Sequence, residues 1–571
     1  MPRTLDNSWR AHKHRRAMPP LTNSAKRTVA ILGGGVGGLS AAHELAERGF
    51  AVTVYERQAA FGGKARSMSF PGTGTDGRRD LPGEHGFRFF PGFYKHITDT
   101  MSRIPFGDRG ASCADNLVQA SRILLARAGK VDPVWVARFP ETLDDFRTAF
   151  FALFDDLDIA HDEIAYFVTR LLGLATSCEE RFLAEFEPLP FWDFIGARTR
   201  SENYQKYLGQ GMTRSLVAMR AEEGSTRTVG RILLQLFYGI LVPGGVFDRL
   251  LNGPTNDVWI DPWRQHLTER LGVALEPNSP LRSFNLEGDR LRSVTIERNG
   301  QPNEVTADFY IAALPVEIMR GFITPEMARA APSLSRVAEL RTAWMNGIQF
   351  YLAADEPLAD GHAIYLDSNW ALTSISQRRF WHSYDLSQYG NGRVGGVLSV
   401  DISNWTAPGN FNGKPAVEAA TRDEIRDEVW AQLKAALNGP GEVRISDDNL
   451  VDWFLDPDIQ LPNPSAVTNA EPLLINHAGS LALRPEAFTE IGNLFLAADY
   501  VRTYTDLATM EAANEAARRA TNAILAAAGV VAQPCAFWKF DIPKPMRDAQ
   551  FLDRLRFRMG LPNAFLAVTS G

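Results

Sequence analysis

A chain of 571 residues, 45% hydrophobic and 22% charged, holds far more apolar side chain than one small core consumes, so it reads as two interwoven domains. Its net charge of −7 and pI near 5.9 lack the basic footprint that phosphate backbones require, which excludes nucleic acid as an expected partner. Cys113, Cys178 and Cys535 lie far apart and make neither a disulfide framework nor a CxxC pair, so a reducing, cytoplasmic setting is expected.

Residues 1–27 read as a flexible arm. Its basic run from Arg10 to Arg16 is expected to be solvated, with peripheral contact to anionic lipid on the inner membrane face as the alternative. Pro19-Pro20 follows, and no apolar stretch of signal-peptide type is present. Thr28–Leu32 then forms a β-rich apolar run that ends in Gly33-Gly34-Gly35-Val36-Gly37-Gly38, a G-x-G-x-x-G turn in the required strand-to-helix context. A helix is expected from Leu39 to Arg48, stopped by Gly49, and a second strand from Ala51 to Tyr55 ending at Glu56. The glycines divide the work of the turn. Gly33 permits the tight bend, Gly35 lets backbone approach a pyrophosphate, and Gly38 lets helix and strand pack closely, with Gly37 in the same loop. Glu56, 23 residues after Gly33, is placed to accept ribose hydroxyls. Strand, turn, helix, strand and acid in register predict a Rossmann-type dinucleotide site.

Residues 106–243 lack βαβ rhythm and read as helical. Thr142-Leu143-Asp144-Asp145 opens one such helix, with Leu143, Phe146, Phe150, Leu153 and Leu157 at helical spacing. The longest apolar run, Ile232 to Phe247, is interrupted by Gln235 and Pro243-Gly244-Gly245 and is shorter than the roughly 20 residues that span a bilayer, so no transmembrane segment is expected. Alternation returns from Arg292 to Arg298 and from Ile348 to Leu352, and the latter with Gly396 to Ile402 is expected to floor a substrate domain. Trp370, Trp381 and Trp405 serve either sheet packing or a conjugated ligand. Asn493 to Asp499 reads as a buried strand ending in an acid, followed by a helix from Thr509-Met510-Glu511, whose N-terminus favours negative charge. The tail from Phe537 to Phe565 mixes Lys, Arg and large apolar residues; it covers a pocket, touches a membrane surface or pads the core. No HExxH, Cys/His spacing, G-x-S-x-G or P-loop occurs, so no metal is expected.

The turn Phe61-Gly62-Gly63-Lys64-Ala65-Arg66-Ser67 resembles one that FAD-dependent amine oxidases and carotenoid desaturases share. Glu84-His85-Gly86-Phe87-Arg88-Phe89-Phe90-Pro91-Gly92-Phe93-Tyr94, Ala497-Ala498-Asp499-Tyr500 and Thr509-Met510-Glu511-Ala512-Ala513 are similar to stretches of plant-type carotene desaturases. Ala307 to Pro315 is similar to a strand of that family. The chain departs from the pattern at Arg88, where the desaturases have His, and at Ala498 and Ala512, where they have Gly. It has no lysine between Lys206 and Lys414, including the strand where amine oxidases keep their flavin-side lysine.

The resemblance implies an α/β flavoprotein that holds FAD in a Rossmann-type domain built from 28–105, 244–320 and 480–530. A mixed-sheet plus helical substrate domain would occupy 106–243 and 321–479, and a C-terminal tail or cover 531–571. It implies that the cofactor is bound by Gly33, Gly35, Gly37, Gly38, Glu56, Arg57, Gly62, Gly63, Lys64, Arg66, His85, Gly86, Phe87, Leu281, Asp499, Thr509 and Met510. Arg88, Glu84, Asp506 and Tyr504 are the catalytic candidates. The expected activity is desaturation of a long apolar polyisoprenoid, with hydride transfer to the flavin. A redox-neutral isomerase or dehydroxylase, an amine or amino-acid oxidase, and a non-catalytic lipid carrier remain alternatives, and the electron acceptor stays open.

Overall fold

The computed structural model describes residues 26–107, 110–129, 134–136, 157–217, 219–241, 246–382, 384–439, 441–463 and 466–568. Residues 1–25 of the arm, with its basic run, lie outside the described residues, as does the helix expected from Thr142 except for Leu157, which is buried in the helical core.

Thr28–Leu32 is buried from Val29 onward and sits centrally in a five-stranded parallel sheet. Across the sheet the order is Ala274–Glu276, Ala51–Tyr55, Thr28–Leu32, Phe309–Ala312 and Leu494–Leu496. Short apolar strands suit this position because a parallel sheet is covered on both faces. The helix Val36–Glu47 crosses from the first strand to the second, and the helix Met510–Ala528 packs along it. Arg290–Arg298 lies in a three-stranded antiparallel sheet whose Leu291, Val294 and Ile296 join the same core.

That core does not stop at residue 320, the boundary expected from sequence. Met327, Leu334, Val337 and Leu340 pack into it, because the short helices after Phe309–Ala312 fold back on the sheet.

The second layer is a seven-stranded sheet, with Asn346–Leu352 flanked antiparallel by Gly396–Ile402 and Leu450–Leu455. The sheet continues through Leu372–Ser376 and Ala363–Tyr365 to Arg122–Ala126 and Val134–Val136. The expectation of an all-helical stretch over 106–243 is therefore corrected at its start. Arg122–Ala126 pairs in parallel with Ala363–Tyr365, a partner about 240 residues away that local periodicity cannot reveal. From residue 157 onward helices prevail. His161–Ala175 and Thr226–Leu241 build a separate apolar core with Phe167, Phe186 and Trp192. No helix among the described residues is long and apolar enough to cross a membrane.

Candidate active site

Two glycine loops meet at the C-terminal ends of the parallel strands, where open α/β sheets place ligands. Gly33 adopts φ +108°, and a β-carbon there would lie 2.5 Å from the Ala313 carbonyl oxygen. On Gly38 it would lie 1.9 Å from the Gly33 oxygen, and on Gly37 2.0 Å from that of Ala497. These residues let helix and strands close up. Gly35 differs, since a β-carbon there meets nothing nearer than the Gly63 Cα at 3.7 Å. Gly35 caps Val36–Glu47 without any side-chain cap, so the amides of the first helical turn have no intrahelical partner and remain for a ligand.

Glu56 lies buried beside this turn. Its Oε2 accepts the Gly34 amide at 2.7 Å and its Oε1 the Gln58 amide at 2.8 Å, and burial raises its pKa. The second loop is tied to the first by the Gly62 amide, which donates to the Gly34 carbonyl at 2.8 Å. Ala497, Ala498 and Asp499 close the far side with Thr509 and Met510. Thr509 caps the helix Met510–Ala528 by accepting the Ala512 amide at 3.1 Å, so two helix N-termini address one space. An uncapped helix, an open Gly35 and a buried carboxylate beside the turn fit a dinucleotide.

The space is one cavity of about 1080 Å³. Beyond the glycine loops it continues as an arm lined by Phe87, Phe89, Phe93, Ile123, Ile232 and Leu236. Trp405 reaches this wall, whereas Trp370 and Trp381 do not and serve core packing. Polar groups also stand on the arm. Asp401, on Gly396–Ile402, is buried, and its Oδ1 has no hydrogen-bond partner. Burial pushes the carboxyl up to about 7, against the pull of Arg88, His85 and His362. His362 Nε2 pairs with Asp248 Oδ2, and the imidazole meets Phe87 and Phe89 edge-on at 5.4 and 5.2 Å. Sequence reasoning missed Asp401, His362 and Asp248. Each is an isolated residue in an ordinary strand or loop, and no motif marks it.

Residues 36–525 match the family of flavin containing amine oxidoreductases. The chain belongs to that family. It is an FAD-dependent oxidoreductase, and its sequence is similar to carotenoid enzymes. Zeta-carotene desaturase of Synechocystis sp. is 23% identical over 536 residues, covering 87% of this chain and 97% of the relative. Carotenoid phi-ring synthase of Streptomyces griseus is 35% identical over 108 residues, 17% of this chain and 20% of that one. Among solved structures, putrescine oxidase superposes with TM-score 0.56 at 14% identity, over 90% of this chain and 100% of that one. Cyclohexylamine oxidase from Brevibacterium oxydans gives 0.56 at 12% identity, over 88% and 99%. These two share the fold.

In this flavoprotein Gly33, Gly35, Gly37, Glu56, Arg57, Gly62, Gly63, Lys64, Leu281, Asp499, Thr509 and Met510 line the cavity, as do His85, Gly86, Phe87 and Arg88. Gly38 lies behind the wall as a packing residue. Arg66 is also withdrawn from the cavity: its guanidinium donates to the Gly63 carbonyl at 2.8 Å and to Glu471 at 3.1 Å, with Asp458 at 3.4 Å.

The catalytic candidates separate. Arg88 spends its donors on the carbonyls of Gly86 at 2.6 Å, Ala65 at 3.2 Å and Lys64, so it clamps the glycine loop. Glu84 lies off the cavity, accepting the Thr255 amide and hydroxyl, each at 3.1 Å, and burial raises it to about 7. Asp506 is corrected: it sits off the cavity wall in a buried ion pair with Arg227 and Arg484, because two arginines from distant segments neutralise it. Tyr504 is corrected as well. Its ring lies under Arg519 at 4.8 Å and Lys539 at 5.3 Å, away from the lining. His85, Asp456 and Asp458 have metal-ligand spacing, but Asn346 already donates to Asp456 at 2.6 Å and Arg66 stands beside Asp458, so the group is matched by protein donors.

Proposed function

We propose that this FAD-dependent oxidoreductase desaturates a long apolar substrate of the polyisoprenoid class. What carries the reading is the aromatic and aliphatic arm that leads away from the glycine loops, with Asp401, whose Oδ1 is unpartnered, on its wall. The 23% identity to a zeta-carotene desaturase across nearly its whole length supports it. So does the lysine-free strand Asn346–Leu352.

Desaturation removes two hydrogens from neighbouring carbons, one with its electron pair and one as a proton. Bound FAD supplies the acceptor for the electron pair. The chain holds the cofactor at Glu56, the two glycine loops and the two helix N-termini, and its apolar arm orients the substrate while excluding water. The proton falls to a carboxylate, and Asp401, held near neutral pH by burial, has the basicity for it. Arg88 aims its donors at backbone carbonyls of the glycine loop, a structural use of the residue that motivates the redox-neutral alternative.

The test is anaerobic mixing of oxidised holoenzyme with a polyene or squalene-type lipid. The flavin absorbance should bleach once per double bond formed. Bleaching by simple primary amines and none by lipids would replace the reading with an amine oxidase. Turnover only after prior reduction, with no net bleaching, would replace it with an isomerase.

A further inference from the structure

We propose that the outer face of the C-terminal helix Lys544–Arg558, with the turn that follows, docks on an anionic lipid bilayer. Phe551, Leu552, Leu555 and Met559 are 59%, 60%, 44% and 65% exposed, and Leu561 and Phe565 continue the patch. The spacing 551, 552, 555, 559 places the first four on one side of the helix.

The helix is amphipathic in the wrong sense for a core element. Its buried residue is the acid Asp553, which receives the Arg181 Nε at 3.0 Å, the Cys178 amide at 2.9 Å and Asn563 Nδ2 at 3.1 Å. A helix that served only its own core would turn Phe551 and Leu555 inward and the charge outward. Contiguous exposed apolar side chains of this size mark an interaction surface.

Nor is the segment a loose tail. Gln550 Nε2 donates to the Ala175 carbonyl at 2.9 Å, Arg181 Nη2 to that of Leu561 at 2.9 Å, and Leu566 is buried in the helical core. The apolar face is thus held outward by fixed anchors.

Charge chooses the occupant. Lys544, Arg547, Arg554, Arg556 and Arg558 lie on this helix; Asp548 pairs with Lys544, Glu180 faces Arg554 and Arg558, and Asp553 is consumed by Arg181, which leaves the segment basic in a chain whose net charge is −7. Basic side chains with long aliphatic stems beside large apolar ones suit the headgroup boundary of an acidic membrane. Because no described helix is fit to span a bilayer, the contact lies in the interface. The docking face does not depend on which substrate enters the cavity.

The test is co-sedimentation of the full-length holoenzyme with vesicles of phosphatidylcholine alone or with 30% phosphatidylglycerol, at low and high salt. Native protein should bind the anionic vesicles, lose binding at high salt, and bind at least tenfold more than the variant Phe551→Ser, Leu552→Ser, Leu555→Ser. Unchanged flavin content and melting temperature establish that this variant is folded. Should it not fold, Leu552→Cys serves instead: all three native cysteines are buried, so a polarity-sensitive dye attaches there and should shift to the blue on anionic vesicles. No binding by native protein, equal binding by the triple variant, or an unshifted dye overturns the proposal. A native dimer abolished by the triple substitution, with no vesicle binding, assigns the face to a second copy and overturns it too.

Discussion

A β-carbon added to Gly86 would stand 2.6 Å from Oδ1 of Asp401. The approach is built in layers. Gly347 donates its amide to the His85 carbonyl at 2.6 Å, a β-carbon on Gly347 would lie 2.8 Å from the Gly86 Cα, and Gly347 pairs in register with Asp401. Two glycines from distant segments therefore let a strand carboxylate reach the loop that lines the cavity.

Gly86→Ala should displace the Asp401 side chain while leaving the glycine loops of the cofactor site in place. The expected outcome is normal flavin content with turnover lower on the order of 100-fold, the scale of a misplaced reacting group. Flavin absorbance and single-turnover kinetics measure the two separately; unchanged turnover would remove the contact from the mechanism.

Asp401→Asn should abolish a rising limb in the pH–rate profile. The carboxyl is raised from 3.8 to about 7 by burial, so the base form fills as pH rises through about 7. The stability effect has the opposite sense. A raised acid stabilises the fold relative to its charged form, and stability falls by about 1.4 kcal/mol per unit as pH climbs between the unfolded and folded values. Urea titrations at pH 5 and pH 8 should therefore differ less in the Asn variant than in the native protein.

Glu56→Ala should release FAD on dilution. Losing two ribose hydrogen bonds at about 1.5 kcal/mol each weakens binding on the order of 100-fold. The same variant frees the Gly34 and Gln58 amides, so a melting curve at saturating FAD separates lost affinity from lost loop structure. Full flavin occupancy after dilution would show that another group carries the ribose.

Asp506→Ala should damage the fold rather than the chemistry. It leaves Arg227 and Arg484 buried without their shared partner, a loss of about 3–5 kcal/mol. Arg484 and Arg227 hold the folded pKa of Asp506 below 3.8 against burial. Its contribution is therefore present above the unfolded value and disappears as pH falls through the folded one. A drop in melting temperature at pH 7 that shrinks towards acid pH, with turnover per bound flavin retained, is the expected result.

How much of this was legible in the sequence follows from distance along the chain. Thr28 to Glu56 specifies strand, turn, helix, strand and acid within thirty residues, and the glycine spacing there is dictated by backbone contacts that admit no side chain. The strand Leu494–Leu496, three residues short of Asp499, and the helix from Met510 were readable for the same local reason. Asp506 and Tyr504 lie near those motifs in sequence, yet a bend of the chain with Asp506 at φ +52° turns them to an ion pair and a cation–π stack. Asp401 became visible only through sheet register, since a strand shows alternate residues to opposite faces and Asp401 is placed by pairing with Gly347 and Thr373, while His362 and Asp248 meet only because the fold brings together loops far apart in the chain. Local pattern thus determined the dinucleotide-type strand–turn–helix unit, and resemblance supplied the flavin. Tertiary packing decided which carboxylate stands in the cavity and which is neutralised outside it, because burial and charge pairing depend on neighbours that the linear order does not name.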